Sequence, residues 1–329
     1  MGERADSSSA ASAAAARDTL VDSSHLDFED ESDVRERRAL TDRIDEIVAE
    51  RYQLVDLLGS GGSGAVYAAV DLLDTNRSRV AVKLLHRHLR SAEGHSARFE
   101  REIKALQKTA HSAVVRILDS GRDARGHLYL VMELLTGELL VDRMEEGFET
   151  RQVLELGRQL LGALGAAHDR GIVHRDIKPE NLFLTDAPSG SIRLKILDFG
   201  IAKLTQPDTA ISFQTLDGLI LGTPEYMSPE VCRGMPVTTD ADLWATASVL
   251  YHIFAGVPPF EDEQIGRLLL KIVKERPASL SELRPDLPEY VAAAIDKALH
   301  KQPAERWQTA REFATGLATS APIDDLDWD

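Results

Sequence analysis

One segment of the chain carries two acidic groups, an amine and an amide at close spacing. Asp176, Lys178 and Asn181 lie within the string His174–Asn181, and Asp198 opens the triplet Asp-Phe-Gly on the next loop. An acid beside an amine can orient a hydroxyl group. Carboxylate and amide oxygens suit a hard divalent ion such as Mg²⁺ that is shared with substrate phosphates. The string therefore indicates phosphate chemistry at a hydroxyl group.

Two short apolar runs follow this string and predict how its parts meet. Leu182–Leu184 and Ile192–Leu197 have the composition of strands, and Thr185–Ser191 between them is a polar turn. A hairpin of this kind brings Asn181 and Asp198 together. An ordinary loop with charged residues is the plain alternative. It does not explain why so many groups suited to phosphate chemistry occur together in His174–Asn181 and Asp198–Gly200.

A glycine-rich string precedes these elements. Gly59–Gly64 spells Gly-x-Gly-x-x-Gly, a pattern that lets backbone N–H groups approach a phosphate. A dinucleotide-binding turn with this pattern opens a helix and has an acidic residue about 20 positions later. Here Ala65–Val70 is typical of a strand, and Lys83–Leu85 occupies the downstream region. The sequence therefore favours a glycine turn inside a hairpin, with Val66 following the last glycine.

Lys83 ends the apolar strand Val80–Lys83, where a cation can meet phosphate oxygens. A lysine that extends from buried surface into solvent is the alternative interpretation. A lysine so placed needs a carboxylate partner, and the next helix offers Glu100 and Glu102. Helical angle alone does not separate these two, because both flank the apolar stripe.

The order of patterns predicts an α+β chain. Short strand-like runs fill residues 51–133, interrupted by a helical pattern over Ser96–Ala110, whereas helical spacing dominates 134–318. Residues 1–50 carry 14 acidic and 6 basic residues and predict a disordered Ser/Ala-rich tail, with some helical spacing from Val34 to Glu50. Residues 319–329 form an acidic C-terminal tail.

Composition excludes several classes of function. With 54 acidic and 38 basic residues the net charge is -16, which disfavours nucleic acid as a partner. Cys232 is the one cysteine, so no disulfide framework is expected and a cytoplasmic setting fits best. The uncharged run Leu243–Phe260 approaches the length of a membrane span, but it holds His252 and ends in Pro258-Pro259, so we expect a buried helix and no span.

Taken in order, these motifs resemble those of the Hanks-type, or eukaryotic-like, serine/threonine protein kinases, most closely the bacterial subgroup. The similarity covers about Arg51 to Leu317. It rests on five motifs: Gly59–Val66, Val80–Lys83, His174–Asn181, Asp198–Gly200 and Gly222–Glu230. The resemblance implies a bilobal fold, with a small β-rich N-lobe that has one main helix and a larger, mostly helical C-lobe.

The resemblance also implies roles in catalysis. Asp176 would orient the substrate hydroxyl and accept its proton, and Lys178 would steady the transferred phosphoryl group. Lys83 would contact the ATP phosphates, and the family pattern Phe-x-x-Glu selects Glu102 as its partner. The implied metal ligands are Asn181 and Asp198, with Mg²⁺ as the ion and Mn²⁺ as a substitute.

ATP is the implied cofactor, and its site would lie between the glycine turn and the end of the sheet. Met132 would lie at the back of the adenine pocket, and the backbone from Glu133 to Leu135 would meet the base edge. The nucleotide-binding residues implied in this way are Leu58, Gly59, Ser60, Gly61, Gly62, Ser63, Gly64, Val66, Ala81, Lys83, Met132, Glu133 and Leu135.

Further residues would have structural or regulatory roles. The resemblance pairs Glu230 with Arg306 to anchor the substrate-binding loop, and it makes Asp242 the support of the catalytic loop. Arg175 would meet a phosphorylated residue of the activation segment. We expect Thr215 to be the main site of that modification and Thr223 to be a second candidate.

The implied function is transfer of the γ-phosphoryl group of Mg-ATP to Ser/Thr hydroxyls of protein substrates, regulated by autophosphorylation in a signalling pathway. Self-association would allow trans-autophosphorylation. A pseudokinase or scaffold that binds nucleotide or partners without phosphotransfer is the first alternative. A small-molecule kinase of similar fold is the second alternative.

Overall fold

The protein is described by a computed structural model. The described residues are 38, 40–61, 64–85, 103, 107, 111–186, 192–199 and 224–318, with the backbone alone for 215–216 and 219–220. The chain divides into two units, Met1–Ile44 and Asp45–Asp329. The elements below all belong to the second unit.

A six-stranded antiparallel sheet forms the first part of this unit, in the order β1-β2-β3-β4-β6-β5. The strands are β1 (Ile47–Val48), β2 (Tyr52–Gly61), β3 (Gly64–Asp71), β4 (Arg79–Leu85), β5 (Ile117–Arg122) and β6 (Leu128–Glu133). The central strands β3, β4 and β6 are buried along most of their length, whereas β2 and β5 carry more exposed residues.

The first strand differs from the sequence-based expectation. We assigned Ile47 and Val48 to the helical spacing that ends at Glu50, but they pair with Gln53 and Tyr52. Ala49 and Glu50 adopt φ angles of 53° and 55°, which reverse the chain tightly between the two strands. A two-residue strand has no periodicity of its own, so spacing alone could not predict it.

Of the helix expected over Ser96–Ala110, the structure describes Ile103 and Gln107, both helical. Ile103 is fully buried and packs in the same cluster as Met132 and Ala81. The rest of that expected helix, including Glu100 and Glu102, lies outside the described residues.

The second part is mainly helical. Its helices are α1 (Leu140–Met144), α2 (Thr150–His168), α3 (Pro229–Cys232), α4 (Thr239–Ala255), α5 (Ile265–Lys274), α6 (Leu280–Leu283), α7 (Glu289–Ala298) and α8 (Ala310–Leu317). A capping box between Glu149 and Gln152 opens α2, and Gly171 follows its end at a φ of 70°. The α+β fold class is thus confirmed.

Helix α4 is the buried centre of this part. Trp244 and Leu243 are fully buried, and the helix ends at Ala255 because Gly256 takes the left-handed conformation, with φ 76°. The uncharged run is therefore a core helix that stops before Pro258. Within the described part of the chain, no helix is long and apolar enough to cross a membrane.

A three-stranded sheet positions the string His174–Asn181 and Asp198, and two of its strands lie between them in the sequence. Its strands are β7 (Glu138–Leu139), β8 (Leu182–Asp186) and β9 (Ile192–Ile196), in that order. Leu182 pairs with Ile196, so the residues just before β8 and just after β9 lie side by side. A further pair, β10 (Thr215–Leu216) and β11 (Leu219–Ile220), is antiparallel.

Candidate active site

The glycine string lies at the tip of the β2–β3 hairpin. Gly59 pairs with Val66, Ser60 with Ala65 and Gly61 with Gly64, so the glycines continue a hairpin and do not open a helix. Gly62 and Ser63 lie outside the described residues. A Cβ at Gly59 or Gly61 would meet nothing within 4 Å, which leaves open space beside this backbone. Leu58, just before the string, is exposed.

The apolar residues expected around a base come together beneath this hairpin. Ala81 and Met132 are buried in one cluster, and Val66 and Leu135 pack against it. Ala81 and Met132 are also cross-strand partners on β4 and β6. These residues form an apolar cluster next to the backbone that leaves β6 at Glu133.

Lys83 lies on β4, and its side chain extends from the sheet to Asp198. Its Nζ is 2.6 Å from Oδ2 of Asp198, and its side chain is only 3% exposed. Its expected partner Glu102 lies outside the described residues. The buried amine of Lys83 and the Asp198 carboxylate, which is 27% exposed, form an ion pair.

Asp176, Lys178 and Asn181 are in direct contact. The Asn181 Nδ2 donates to Oδ2 of Asp176 at 2.9 Å and to its carbonyl oxygen at 2.7 Å. The Lys178 Nζ lies 3.8 Å from the same carboxylate. The Leu197 N–H donates to the Asn181 carbonyl at 2.9 Å, which ties this loop to the residue before Asp198.

The donor set fits a hard divalent cation. Because the Asn181 Nδ2 is engaged by Asp176, its Oδ1 is the side-chain atom left to serve as a metal ligand. Asp198 contributes a second hard oxygen. With two protein ligands, phosphate oxygens and water would complete the coordination of such an ion.

Asp242 anchors the loop that carries Asp176. Its buried carboxylate accepts the backbone N–H groups of His174 and Arg175 at 2.7 and 2.8 Å. The two bonds hold Arg175 at a φ of 71°, a conformation that costs energy for a residue with a side chain. Asp242 therefore fixes the backbone immediately before Asp176.

Sequence reasoning missed one member of this anchor. The His168 Nε2 lies 2.9 Å from Oδ2 of Asp242, so the last residue of α2 holds the same carboxylate. The one available signal was a histidine at the end of a predicted helix, which is also the usual place for a favourable dipole contact. A histidine at a helix end does not predict a contact with a carboxylate 74 residues away in the sequence.

Glu230 and Arg306 form a buried bidentate pair. The two N–H groups of Arg306 donate to the Glu230 carboxylate at 2.8 and 2.7 Å, and the Arg306 Nε donates to the His300 carbonyl. Burial acts to raise the pKa of Glu230, but the hydrogen bonds and charge of Arg306 outweigh it and hold that pKa below its usual range. The pair ties α3 to the segment before α8.

The segment between Asp198 and Glu230 is described only in part. Thr215 begins the short strand β10, whereas Thr223 lies outside the described residues. Tyr226 is buried after Pro224, and its hydroxyl lies 2.8 Å from Nδ1 of His252 on α4. Burial raises the pKa of Tyr226 and lowers that of His252, so both are neutral near pH 7.

Comparison with known proteins agrees with this geometry. Residues 52–315 match the family model for the protein kinase domain. The chain is 38% identical over 273 residues to the serine/threonine-protein kinase pkn2 of Myxococcus xanthus, and 37% identical over 266 residues to Pkn1 of the same organism. These alignments cover 82% and 81% of this chain but 32% and 38% of the relatives.

A solved structure is similar over the same region. The crystal structure of the Mycobacterium tuberculosis PknI kinase domain matches with a TM-score of 0.64 at 28% identity, and the match covers 83% of this chain and 97% of that one. The bilobal protein-kinase fold is confirmed by this match. The chain spans between about a third and a half of the length of the curated relatives that it matches. On these grounds, the chain belongs to the protein kinase family.

Proposed function

We propose that this chain is a serine/threonine protein kinase that transfers the γ-phosphoryl group of Mg-ATP to Ser/Thr hydroxyls of protein substrates. The observation that carries the proposal is a pair of adjacent side-chain groups, Lys83 with Asp198 and Asp176 with Lys178 and Asn181. The backbone bond from Leu197 to Asn181 joins the two groups. Nucleotide binding is assigned to residues 51–133, and the catalytic loop and peptide platform are assigned to 134–318.

Each residue of the cluster has one proposed task. Asp176 orients the substrate hydroxyl and takes its proton as the oxygen attacks the γ-phosphorus and the bond to the β–γ bridging oxygen breaks. Lys178 stabilises the charge on the transferred group, and Lys83 holds the α- and β-phosphates. Asn181 and Asp198 would hold Mg²⁺, with Mn²⁺ as a substitute, and the bound ion neutralises phosphate charge.

ATP would lie under the glycine hairpin. The backbone of Gly59, Gly61 and Gly64 is proposed to cover the phosphates, since a hairpin without side chains there allows close approach. Adenine would pack on Val66, Ala81 and Met132, and the backbone from Glu133 to Leu135 would meet its edge. Glu102 is proposed as the helix partner of Lys83.

We further propose regulation by phosphorylation of Thr215, with Thr223 as a second site and Arg175 as the group that meets the phosphate. A second copy of the chain would transfer this phosphoryl group from Mg-ATP by trans-autophosphorylation. Phosphatase-treated Thr215→Ala protein should then have low activity, and full activity would exclude Thr215 as the main site.

A cytoplasmic setting is also proposed, because Cys232 is the only cysteine.

The test is label transfer from γ-labelled ATP to a protein rich in serine and threonine, with and without Mg²⁺. We expect phosphoserine or phosphothreonine that disappears when the metal is chelated. Nucleotide binding without any transfer would favour the scaffold alternative. Transfer to small alcohols in preference to the protein would favour a small-molecule kinase.

A further inference from the structure

An ion pair joins the end of the large sheet to the hairpin that precedes Asp198. The Lys195 Nζ on β9 is 2.6 Å from Oε1 of Glu133, the last residue of β6. The two side chains are 18% and 22% exposed. This pair is therefore shielded from solvent on most of its surface, which strengthens it relative to a surface ion pair.

The Glu133 end of the pair is fixed to the backbone. Oε1 of Glu133 also accepts the Arg116 N–H at 2.9 Å, and the Glu133 N–H donates to the Arg116 carbonyl at 3.0 Å. Glu133 in addition pairs with Val80 across the sheet. The position of the Glu133 carboxylate is thus coupled to the position of the backbone at the start of the proposed adenine-binding segment.

The Lys195 end is equally well held. The Gln159 side chain from α2 bridges the carbonyl of Ile192 at 3.2 Å and the N–H of Leu194 at 2.8 Å. Ile196 bonds through its N–H to the Ala113 carbonyl at 2.8 Å. These bonds make β9 a rigid support on both sides of Lys195.

A second ion pair follows three residues later with the opposite polarity. Lys83 of the sheet meets Asp198 after β9, whereas Glu133 of the sheet meets Lys195 on β9. The Lys83–Asp198 pair lies at the proposed phosphate end of the nucleotide site, and the Glu133–Lys195 pair lies at the proposed adenine end. One short segment of chain therefore fixes both ends of the nucleotide site.

We propose that Lys195 is a positioning residue for base recognition: through Glu133 it holds the backbone of Glu133–Leu135 where it meets the adenine edge. This inference rests on the proposed function and adds a residue outside the family motifs. Lys195 acts through Glu133 and does not touch the nucleotide. Its loss should weaken contacts to the base and leave contacts to the phosphates unchanged.

The test compares two fragments of ATP, adenosine and Mg²⁺-tripolyphosphate, by calorimetric binding to the intact protein. Lys195→Met should weaken adenosine and ATP binding about three- to tenfold, as expected for loss of a partly buried charged hydrogen bond. Tripolyphosphate binding and kcat at saturating ATP should stay within about twofold. Lys195→Arg should retain most of the affinity, since it keeps the charge and a donor.

Two controls make the result decisive. Lys271→Met, on α5, removes a partly exposed ion pair with Asp262 and should leave all three affinities unchanged. Glu133→Gln keeps an acceptor for the Arg116 N–H but removes the charge, so it should reproduce the loss for adenosine. If Lys195→Met fails to fold, Glu133→Gln decides the question.

The outcomes separate this inference from the proposed function. Wild-type affinity for adenosine in both variants would overturn the inference alone. Equal weakening of adenosine and tripolyphosphate would also overturn it, because a general structural loss would explain the result. A wild-type protein that binds neither ATP nor adenosine would overturn the proposed function and the inference together.

Discussion

At the scale of single residues, the geometry of the site depends on charged side chains that form hydrogen bonds with the backbone. Asp242 is the clearest case, since its carboxylate accepts two backbone N–H groups and contacts His168. The energy of these bonds offsets the unfavourable φ of Arg175. The geometry of Asp176 is thereby set by a residue that has no contact with substrate in the proposed reaction.

Asp242→Asn should lower kcat at saturating ATP by roughly tenfold to a hundredfold, because the amide N–H₂ replaces one of the two accepting oxygens and faces a backbone N–H donor. The free energy of unfolding should fall by about 2–4 kcal/mol. Steady-state kinetics and urea titration give both values. Asp240→Asn, on the same helix and half-buried, is the matched control, and equal effects of the two variants would contradict this role.

At the scale of elements, the β2–β3 hairpin shows why its glycines differ from one another. Gly64 has a φ of 148°, and a Cβ there would lie 2.1 Å from the Leu84 carbonyl of the neighbouring strand. Gly61, its cross-strand partner, has open space instead. The packing of the sheet requires a glycine at position 64, whereas the proposed approach of the backbone to phosphate requires one at position 61.

Gly64→Ala should therefore reduce the free energy of unfolding by about 1–3 kcal/mol, through backbone strain and a clash with β4. Gly61→Ala should change stability by less than about 0.5 kcal/mol while raising the KM for ATP. Thermal unfolding and ATP kinetics measured on both variants check this. A Gly61→Ala variant as unstable as Gly64→Ala would contradict the assignment.

The link between α3 and the segment before α8 depends on one buried ion pair. Arg306→Met would leave the Glu230 carboxylate buried without a partner, which should cost about 3–5 kcal/mol in the free energy of unfolding. The double variant Glu230→Gln with Arg306→Met should recover much of this loss. Denaturant titration of the three proteins is the measurement. A single variant no less stable than the double one would contradict the coupling.

At the scale of the whole molecule, a half-buried lysine makes stability depend on pH. The Lys301 Nζ lies 5.0 and 4.0 Å from the ring centroids of Trp244 and Phe260 and donates to the Ile272 carbonyl. Burial, and next the charge of Arg306, lower the pKa of Lys301 to about 8. Between about pH 8 and 10.5 the unfolded chain holds this proton and the folded chain does not.

Folding stability attributable to Lys301 should therefore rise with pH across that interval. The free energy of unfolding of the wild type should increase relative to Lys301→Met between about pH 8 and 10.5. Lys301→Arg stays charged throughout and should show no such gain over Lys301→Met. Urea titrations at a series of pH values supply the comparison, and parallel curves for wild type and Lys301→Met would contradict the lowered pKa.

Much of the fold and the site follows from local sequence. Turn chemistry and apolar periodicity predict the glycine hairpin, the strands on either side of the polar turn and the buried helix in the uncharged run. Contacts such as Glu133 with Lys195 and His168 with Asp242 join residues 62 and 74 positions apart. No periodic pattern encodes such pairs, so they emerge only once the elements are packed.

The central claim is phosphotransfer through Asp176, and one comparison tests it most directly. Label transfer from Mg²⁺-ATP to protein is measured for the wild type, Asp176→Asn and the exposed control Asp169→Asn, together with the Kd for ATP. We predict a loss in kcat of about 10²–10⁴ in Asp176→Asn alone, with the Kd within about threefold of wild type. Unchanged transfer by Asp176→Asn would contradict the proposed catalytic role.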